Sequence, residues 1–240
     1  MDRISRIAIM QPYFFPYIGY FAMIKHTELF ILFDTPQFIR HGWIERNQVL
    51  KPSGEPLYIK VPLVKHHRDT KINEIVIKNS QPWKDKILAQ LGPYKKKAPN
   101  YSKVINLLNE IFELDTDSIV ELNRFSLEKV CQYLEINTPI EVWSGMNVDI
   151  APVNEPDEWA LNISKALGAD SYINPPGGMD FFDRAKYKNA GVNLKFMKVV
   201  PVEYRQISES FVPNLSIIDI LMFCDAEQVH SMLDNYELIK

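Results

Sequence analysis

Ile7-Ala-Ile-Met-Gln-Pro-Tyr-Phe-Phe-Pro-Tyr-Ile-Gly-Tyr-Phe21 is the stretch that decides the fold. Ile7–Met10 is apolar and β-branched enough for a buried strand, and Pro12 and Pro16 prevent that strand from continuing past Gln11. Gly19 then begins an apolar run that predicts a helix packed on the strand. A strand, a tight turn and a helix N-terminus gather free backbone N–H groups, which favours anion binding. The alternative is that the aromatic residues of this stretch simply form part of the core.

A second apolar run, Leu29–Phe33, predicts a buried strand parallel to the first, and it ends at Asp34 because Thr35-Pro36 follows. In open α/β sheets, ligands bind beyond the carboxyl ends of the strands, where Gln11 and Asp34 stand. A lone carboxylate there binds a substrate group or a metal, or merely caps a helix. A functional role is favoured by the dense polar and aromatic loop to which this aspartate belongs: Asp34, Gln37, Arg40, His41, Trp43, Glu45, Arg46 and Asn47.

The alternation of strands and helices returns after residue 134. Strands are predicted at Ile140–Trp143, Ser171–Asn174 and Val192–Val199, with helices at Asn154–Leu167 and about Phe181–Asn189 between them. Together with the two N-terminal strands, these elements predict an α/β fold of Rossmann-like type, with a doubly wound, mainly parallel five-stranded sheet.

The turn Pro175-Pro-Gly-Gly178 follows the end of one of these strands. Asn174, Gly177 and Gly178 should therefore face the same cleft as Gln11 and Asp34. Paired glycines allow a ligand to approach the backbone closely, or they simply make a turn.

Residues 51–134 interrupt the alternation of parallel strands and helices. Antiparallel β structure is expected around a basic loop between Lys51 and Lys78, followed by amphipathic helices from Pro82 to Leu134. Lys60 and Lys71 could meet phosphate groups, although a solvated basic loop is an equal alternative. The predicted organisation is an α/β core over residues 1–50 and 135–225, a β and helical insertion over 51–134, and a C-terminal helix over 226–240.

Two features near the C-terminus favour structural roles. Ser216 can cap the helix that follows it, and Asp219 lies near that helix N-terminus, where a carboxylate is stabilising. Cys224, with His230 nearby in sequence, is a weaker candidate nucleophile.

Composition limits the class of protein. The chain has 240 residues, of which 46% are hydrophobic, and a net charge of -3. A chain without a basic excess is a poor candidate for general nucleic-acid binding. Cys131 and Cys224 lie far apart in apolar surroundings without metal-ligand spacing, which predicts buried free thiols and no metal site. There is no signal peptide before the first strand and no apolar run that could span a bilayer, so we expect a cytoplasmic protein.

Several motifs together resemble one known family. They are Gln11–Phe21, Phe33-Asp34 with Gln37-Phe38, Gly42–Asn47, Tyr172–Gly178 and Leu215–Met222. In these motifs, and over nearly its whole length, the chain is similar to the WbqC-like protein family. The resemblance implies a bacterial protein of surface-polysaccharide (O-antigen, lipopolysaccharide) or related biosynthesis. In that pathway we expect a transferase or ligase that attaches an acyl or aminoacyl group to a nucleotide-activated amino sugar.

The order of elements is also similar to the nucleotide-binding (HUP-like) fold of nucleotidyltransferases and class I aminoacyl-tRNA synthetases. In that group a His-x-Gly-His turn follows the first strand, whereas Tyr17-Ile-Gly-Tyr20 stands there in this chain. The missing imidazoles argue against phosphate transfer, although a nucleotide-shaped cleft is still expected. No Walker loop is present, and no GxGxxG follows the first strand. A nucleotidyltransferase with an altered turn and a non-catalytic sugar- or nucleotide-binding partner protein stay open as alternatives.

The candidate roles follow from the transferase hypothesis. Asp34 would act as general base on the amine, Arg40 and Arg46 would hold pyrophosphate, and Tyr and Trp side chains would stack on a ring. The candidate catalytic residues are Asp34, Gln11 and Tyr20. The candidate substrate-binding residues are Tyr13, Tyr17, Gln37, Arg40, Trp43, Arg46, Asn47, Asn174, Gly177, Gly178 and Gln206. Lys60 and Lys71 are the candidate phosphate-binding residues, a nucleotide is the possible cofactor, and a nucleotide-activated sugar is the expected small-molecule partner.

Overall fold

A computed structural model describes residues 4–239 of the chain. The strands are β1 (Arg6–Met10), β2 (Leu29–Leu32), β3 (Arg46–Leu50), β4 (Pro56–Lys60), β5 (Ile140–Val142), β6 (Ser171–Asn174), β7 (Asn193–Val199) and β8 (Tyr236–Ile239). The α-helices are α1 (Ile18–Lys25), α2 (Trp83–Leu91), α3 (Tyr101–Phe112), α4 (Ile119–Tyr133), α5 (Glu158–Ala166), α6 (Arg184–Asn189), α7 (Ile217–Phe223) and α8 (Ala226–Asp234). Short 3-10 turns join several of these elements.

Six strands form the main sheet, in the order β5-β2-β1-β6-β7-β8. The five predicted strands are present and parallel, and β8 adds a sixth strand antiparallel to β7. The expectation of five strands is therefore short by one. The predicted C-terminal helix over 226–240 ends at Asp234, and Asn235 leaves the helical conformation with φ -88° and ψ 76°. The chain then covers the outer edge of β7, which would otherwise be left unpaired.

Both faces of the main sheet are covered. One face, with Ala8 and Phe30, belongs to a large apolar cluster that also takes in α1, α3, α4, α7 and α8. The opposite face, with Ile7 and Ile31, packs with α5 and α6 in a second cluster. Alternate residues of each strand therefore lie in two different apolar clusters. Because both faces of β1 and β2 are buried, their sequences are continuously apolar.

A separate two-stranded hairpin pairs β3 with β4, and it corrects the expected limits of the antiparallel segment. Arg46–Leu50 forms a strand although its first residues belong to the predicted polar loop. Within the expected antiparallel segment, Ile72–Glu74 forms a 3-10 turn, and Val76 and Ile77 form only isolated bridges. The hairpin forms because Lys51-Pro-Ser-Gly-Glu55 makes its turn, with Gly54 at φ 85°. The helices α2 to α4 follow as expected, but their apolar faces join the large cluster of the sheet. The division into core and insertion stays a prediction.

Candidate functional site

A cavity of about 490 Å³ opens at the carboxyl ends of three neighbouring strands, β1, β6 and β7. From β1 the chain crosses through α1 to β2 on one side, and from β6 it crosses through α6 to β7 on the other. The two crossovers lie on opposite faces of the sheet, so a crevice is left between β1 and β6. This is the position at which doubly wound sheets bind their ligands.

The cavity walls are aromatic and apolar. Rings of Tyr13, Tyr17, Trp43, Tyr204 and Phe211 line it. Trp43 is 42% exposed, so part of its ring is accessible at the cavity. The remaining wall is formed mainly by Met10, Ile18, Met197, Val199, Val202, Leu215, Ile220 and Met232. A cavity of this size and composition suits a small molecule that contains a ring.

The turn between β1 and α1 is held by side-chain amides from distant parts of the chain. Asn47 Nδ2 donates to the carbonyls of Phe14 and Phe15, at 3.0 and 2.9 Å. Asn123 Nδ2 donates to the carbonyls of Pro12, at 2.8 Å, and Ile44. These bonds satisfy carbonyl groups that the turn cannot pair with a neighbouring strand, and they fix the aromatic wall of the cavity.

The same turn is also held from the side of α7. Ser216 Oγ donates to the Phe15 carbonyl at 2.8 Å, and the backbone N–H of Ile217 donates to the Pro16 carbonyl at 2.9 Å. Phe15 itself adopts φ 40°, which a non-glycine residue keeps only when its surroundings hold it. The sequence did not predict Asn123 and Ser216 as site residues. For Asn123, the detectable sequence feature was an asparagine on the apolar face of a helix.

The two tyrosines of Tyr17-Ile-Gly-Tyr20 have different positions. Tyr17 lines the cavity, and its ring lies so close over Gly19 that an added Cβ there would stand 2.4 Å from Tyr17 Cε2. Tyr20 is fully buried and donates its hydroxyl to the Gln11 carbonyl at 2.8 Å. Tyr20, a candidate catalytic residue, therefore supports the strand end from inside the core.

The structure divides the predicted site residues into two groups. Tyr13, Tyr17, Trp43, Asn47 and Gly177 line the cavity. The others lie outside its lining: Gln11, Tyr20, Asp34, Gln37, Arg40, Arg46, Asn174, Gly178, Gln206, Lys60 and Lys71. Their proposed catalytic and binding roles stay predictions, and their contacts show what each side chain does in this structure.

Asp34 is 1% exposed at the end of β2. Its carboxylate accepts hydrogen bonds from the backbone N–H of Ser144, at 3.0 Å, and from Ser144 Oγ, at 2.6 Å. Asp34 thereby fixes the 3-10 turn Trp143–Gly145, which follows β5. The carboxylate faces the β2–β5 side of the sheet edge, away from the cavity.

The two arginines expected to hold pyrophosphate are bonded to backbone carbonyls. Arg40 Nη2 donates to the His66 carbonyl at 3.3 Å. Arg46 donates to the carbonyls of His41 and Gly42, and its guanidinium lies 4.3 Å from the centroid of the Tyr58 ring. These contacts hold the loop before β3 in place and use some of the N–H donors of each guanidinium.

The remaining polar candidates of this region hold neighbouring loops together. Gln37 Nε2 donates to the Arg68 carbonyl at 2.9 Å, and the backbones of Gln37 and Lys71 form a bridge. Lys60 lies on β4 and lines a separate shallow groove with Trp83.

Asn174 and Gly178 shape the turn after β6. Asn174 accepts a hydrogen bond from the Tyr172 hydroxyl at 2.8 Å and donates to the Pro175 carbonyl at 3.1 Å. A Cβ on Gly178 would lie 2.2 Å from Asn174 Nδ2 and 2.9 Å from the Phe182 ring, so any side chain there would displace these two side chains. Gly177, in contrast, lines the cavity, and a Cβ added there would meet nothing within 4 Å.

A buried polar cluster behind Tyr204 was missed as a site feature. Asp219, completely buried, accepts from the hydroxyls of Tyr94, at 2.5 Å, and Tyr204, at 2.7 Å. Burial raises the pKa of Asp219, and the hydrogen bonds from the two tyrosines and Gln206 act in the opposite direction. The predicted structural role near a helix N-terminus did not include these partners. The available signal was one aspartate inside the apolar run Ile217–Phe223.

The phenols that line the cavity are neutral hydrogen-bond donors near pH 7. Burial raises the pKa of Tyr13, Tyr17 and Tyr204, so their phenols keep their protons. Burial likewise raises the pKa of Cys131 to about 12 and that of Cys224 to about 11, which leaves both as unreactive thiols.

Two further properties concern metals and membranes, and both refer to residues 4–239. No group of three or more His, Cys, Asp or Glu side chains in this part of the chain could hold a metal ion. None of its helices has the length and apolar character needed to cross a membrane.

The chain is an α/β protein with a crevice at the switch point between β1 and β6, from which the crossovers leave on opposite faces of the sheet. Sequence comparison identifies its family. The model of the WbqC-like protein family matches residues 11–231. The chain therefore belongs to the WbqC-like protein family. The match includes the β1–α1 turn, the turn after β6 and α7, which together surround the cavity.

Comparison with curated proteins adds a distant relative. An uncharacterized protein of Mycobacterium tuberculosis is 26% identical over 226 residues, which cover 93% of this chain and 95% of that protein. No solved structure is significantly similar to the chain. The HUP-like assignment is thus not confirmed and stays a prediction.

Proposed function

We propose that this WbqC-like protein is a transferase that attaches an acyl or aminoacyl group to a nucleotide-activated amino sugar in bacterial surface-polysaccharide or related biosynthesis. The cavity at the β1–β6 switch point is its substrate site. The observation that supports the proposal is the aromatic lining of this cavity, to which the Gln11–Phe21 stretch and the Gly42–Asn47 stretch both contribute.

The aromatic side chains would recognise the rings of the substrate. Tyr13, Tyr17 and Trp43 offer faces on which a nucleobase or a sugar ring can pack. The first turn of α1 begins beside Tyr17 and Ile18, both of which line the cavity, so its backbone N–H groups can meet negatively charged oxygen. Gly177 allows the ligand to approach the backbone of the turn after β6.

A non-catalytic binding protein is the second candidate, and one observation favours it. Among the residues that line the cavity within the described range 4–239, Lys198 is the only charged one. Phosphoryl transfer relies on several charged groups around the phosphates, so this lining also argues against a nucleotidyltransferase.

Thermal unfolding with defined ligands separates these functions. We expect UDP-glucosamine, used as the nucleotide-activated amino sugar, to raise the unfolding temperature, since a ligand at 100 times its Kd adds about 2.7 kcal/mol to the native state. Acetyl-coenzyme A with UDP-glucosamine should then release free thiol. A shift only with ATP and Mg²⁺ would indicate nucleotidyl transfer, and binding without turnover would indicate a partner protein.

The candidate general base is tested in the same assay. Asp34 lies outside the cavity lining with its carboxylate bonded to Ser144, so we expect Asp34→Asn to keep both UDP-glucosamine binding and thiol release. Loss of thiol release with binding preserved would identify Asp34 as the group that takes the amine proton. Unchanged turnover in this variant would exclude Asp34 as the base.

A further inference from the structure

The carboxylate of Asp219 in α7 is completely buried, and no cationic side chain within residues 4–239 forms an ion pair with it. A buried carboxylate normally has a cation or several hydrogen-bond donors beside it, because its desolvation is costly. Here the hydroxyls of Tyr94 and Tyr204 donate to the carboxylate, and the Gln206 amide lies beside it as a further donor.

The direction of each hydrogen bond is fixed by its neighbours. The backbone N–H of Leu50 donates to the Tyr94 hydroxyl at 2.8 Å, and Gln206 Nε2 donates to the Tyr204 hydroxyl at 3.0 Å. The Gln206 amide orientation is set because its Oε1 accepts from the Val212 N–H. Each phenol therefore accepts from nitrogen and donates its own proton to Asp219, which completes two donor chains ending on one carboxylate.

The two tyrosines differ in one respect. Tyr204 lines the cavity, whereas Tyr94 is fully buried and takes no part in the lining. Tyr204 is therefore the side chain through which the carboxylate of Asp219 can act on a molecule in the cavity.

We propose that Tyr204, backed by Asp219, is the site that receives the amino group of the acceptor. This inference rests on the proposed function and adds the orientation of the substrate, with its amine at the β7–α7 side of the cavity. The ammonium form of the acceptor gives one proton to the Tyr204 oxygen while Tyr204 passes its own proton to Asp219 Oδ1. One N–H bond breaks and one carboxyl O–H bond forms, which leaves a neutral amine able to attack an acyl group.

Two properties of the cluster suit this step. A buried carboxylate attracts a cation entering the cavity and becomes neutral when it receives the proton, which ends its desolvation penalty. The raised pKa of Asp219, caused by burial, favours the protonated product. In this scheme Tyr204 contacts the substrate, and Asp219 is a positioning residue that acts through it.

Matched amine and alcohol probes test the inference. Calorimetry on the full chain would compare UDP-glucosamine with UDP-glucose, and benzylamine with benzyl alcohol, since the second pair needs only an aromatic cavity. We expect each amine to bind at least about tenfold more tightly than its partner, the size of one charge-assisted hydrogen bond. Tyr204→Phe and Asp219→Asn should each remove that preference without abolishing the weaker binding common to both probes.

Tyr94→Phe is the matched control, because it removes the same kind of hydrogen bond from the same carboxylate at a place outside the cavity. It should lower the unfolding temperature and keep the amine preference. If Tyr94→Phe and Tyr204→Phe lost the preference for amines equally, the cluster around Asp219 would have only a structural role. That result would overturn the inference.

The probe pairs also separate this inference from the proposed function. Equal binding of UDP-glucosamine and UDP-glucose would support a nucleotide-sugar site and overturn the amine site. An amine preference in the benzyl pair alone would support the amine site and contradict the nucleotide-sugar substrate. No binding by any of the four probes would contradict both.

Discussion

Single side chains that bond to carbonyl groups hold the cavity wall in place. Asn47, which the sequence predicts to bind substrate because it lies in a dense polar loop, lines the cavity, and its amide donates to the carbonyls of Phe14 and Phe15. Asn123 does the same for Pro12 and Ile44 from the apolar face of α4. These polar side chains therefore support the turn that carries the aromatic part of the cavity wall.

Asn123→Ala tests this support at one residue. The change leaves the carbonyls of Pro12 and Ile44 without their donor, and buried polar groups left unpaired cost about 1–3 kcal/mol each. We expect the free energy of unfolding to fall by about 2 kcal/mol or more, measured by urea denaturation. Affinity for UDP-glucosamine should fall with it.

Asn109→Ala is the matched control, because Asn109 is an exposed asparagine on α3. Its effect should stay within about 0.5 kcal/mol, as for ordinary surface substitutions. Similar losses in the two variants would show that the amide contacts of Asn123 do not hold the turn.

Sequence reasoning found the residues at strand ends and missed those whose roles depend on distant contacts. Tyr13, Tyr17 and Gly177 follow apolar runs closed by proline or polar residues, so their places could be predicted. The Tyr204–Asp219 contact joins a segment without regular structure to a helix. Propensity and periodicity contain no information about such a pairing.

At the scale of elements, the β1–α1 turn depends on the close approach of Tyr17 to Gly19. The tyrosine ring occupies the space that a side chain on residue 19 would need. Glycine in a helix is normally unfavourable, by roughly 1 kcal/mol relative to alanine. Its presence in the first turn of α1 is explained by the position of the ring, which forms part of the cavity wall.

Gly19→Ala should therefore fail to give the stability that the same change gives in an ordinary helix. The new methyl group would displace the Tyr17 ring, so we expect no gain in unfolding free energy and weaker binding of UDP-glucosamine. Thermal unfolding and calorimetry measure the two effects.

Gly145→Ala provides the comparison, since nothing lies within 4 Å of a Cβ at Gly145. That change should raise the free energy of unfolding by about 0.4–1 kcal/mol, because alanine lowers the conformational entropy of the unfolded chain. An equal gain in Gly19→Ala, with unchanged binding, would contradict the proposed function of the ring.

The elements that sequence reasoning missed are those with weak apolar signals. In β3, Arg46-Asn-Gln48 precedes only two apolar residues, so pairing with β4 rather than composition creates the strand. The four residues of β8, Tyr236–Ile239, form a strand because they pair with the otherwise open edge of β7. Local propensity could not predict either pairing, because both depend on a partner strand.

At the scale of the whole molecule, the carboxyl edge of the sheet presents two separate regions. The aromatic cavity lies at β1, β6 and β7, and the region of Asp34 and Ser144 lies at β2 and β5. The sequence predicted a single cleft, because strand order cannot be read from the order of elements along the chain. The neighbouring positions of β1 and β6 place the crevice between them.

The most direct test of the cavity as the ligand site is the affinity for UDP-glucosamine of two equally bulky variants. Gly177→Phe adds a ring at the cavity wall, and Gly145→Phe adds one beside the turn held by Asp34; in both places an added Cβ meets nothing within 4 Å. Calorimetry should show binding abolished in Gly177→Phe and retained in Gly145→Phe, with both variants folded. Binding lost in Gly145→Phe and retained in Gly177→Phe would place the ligand at Asp34 and contradict the account.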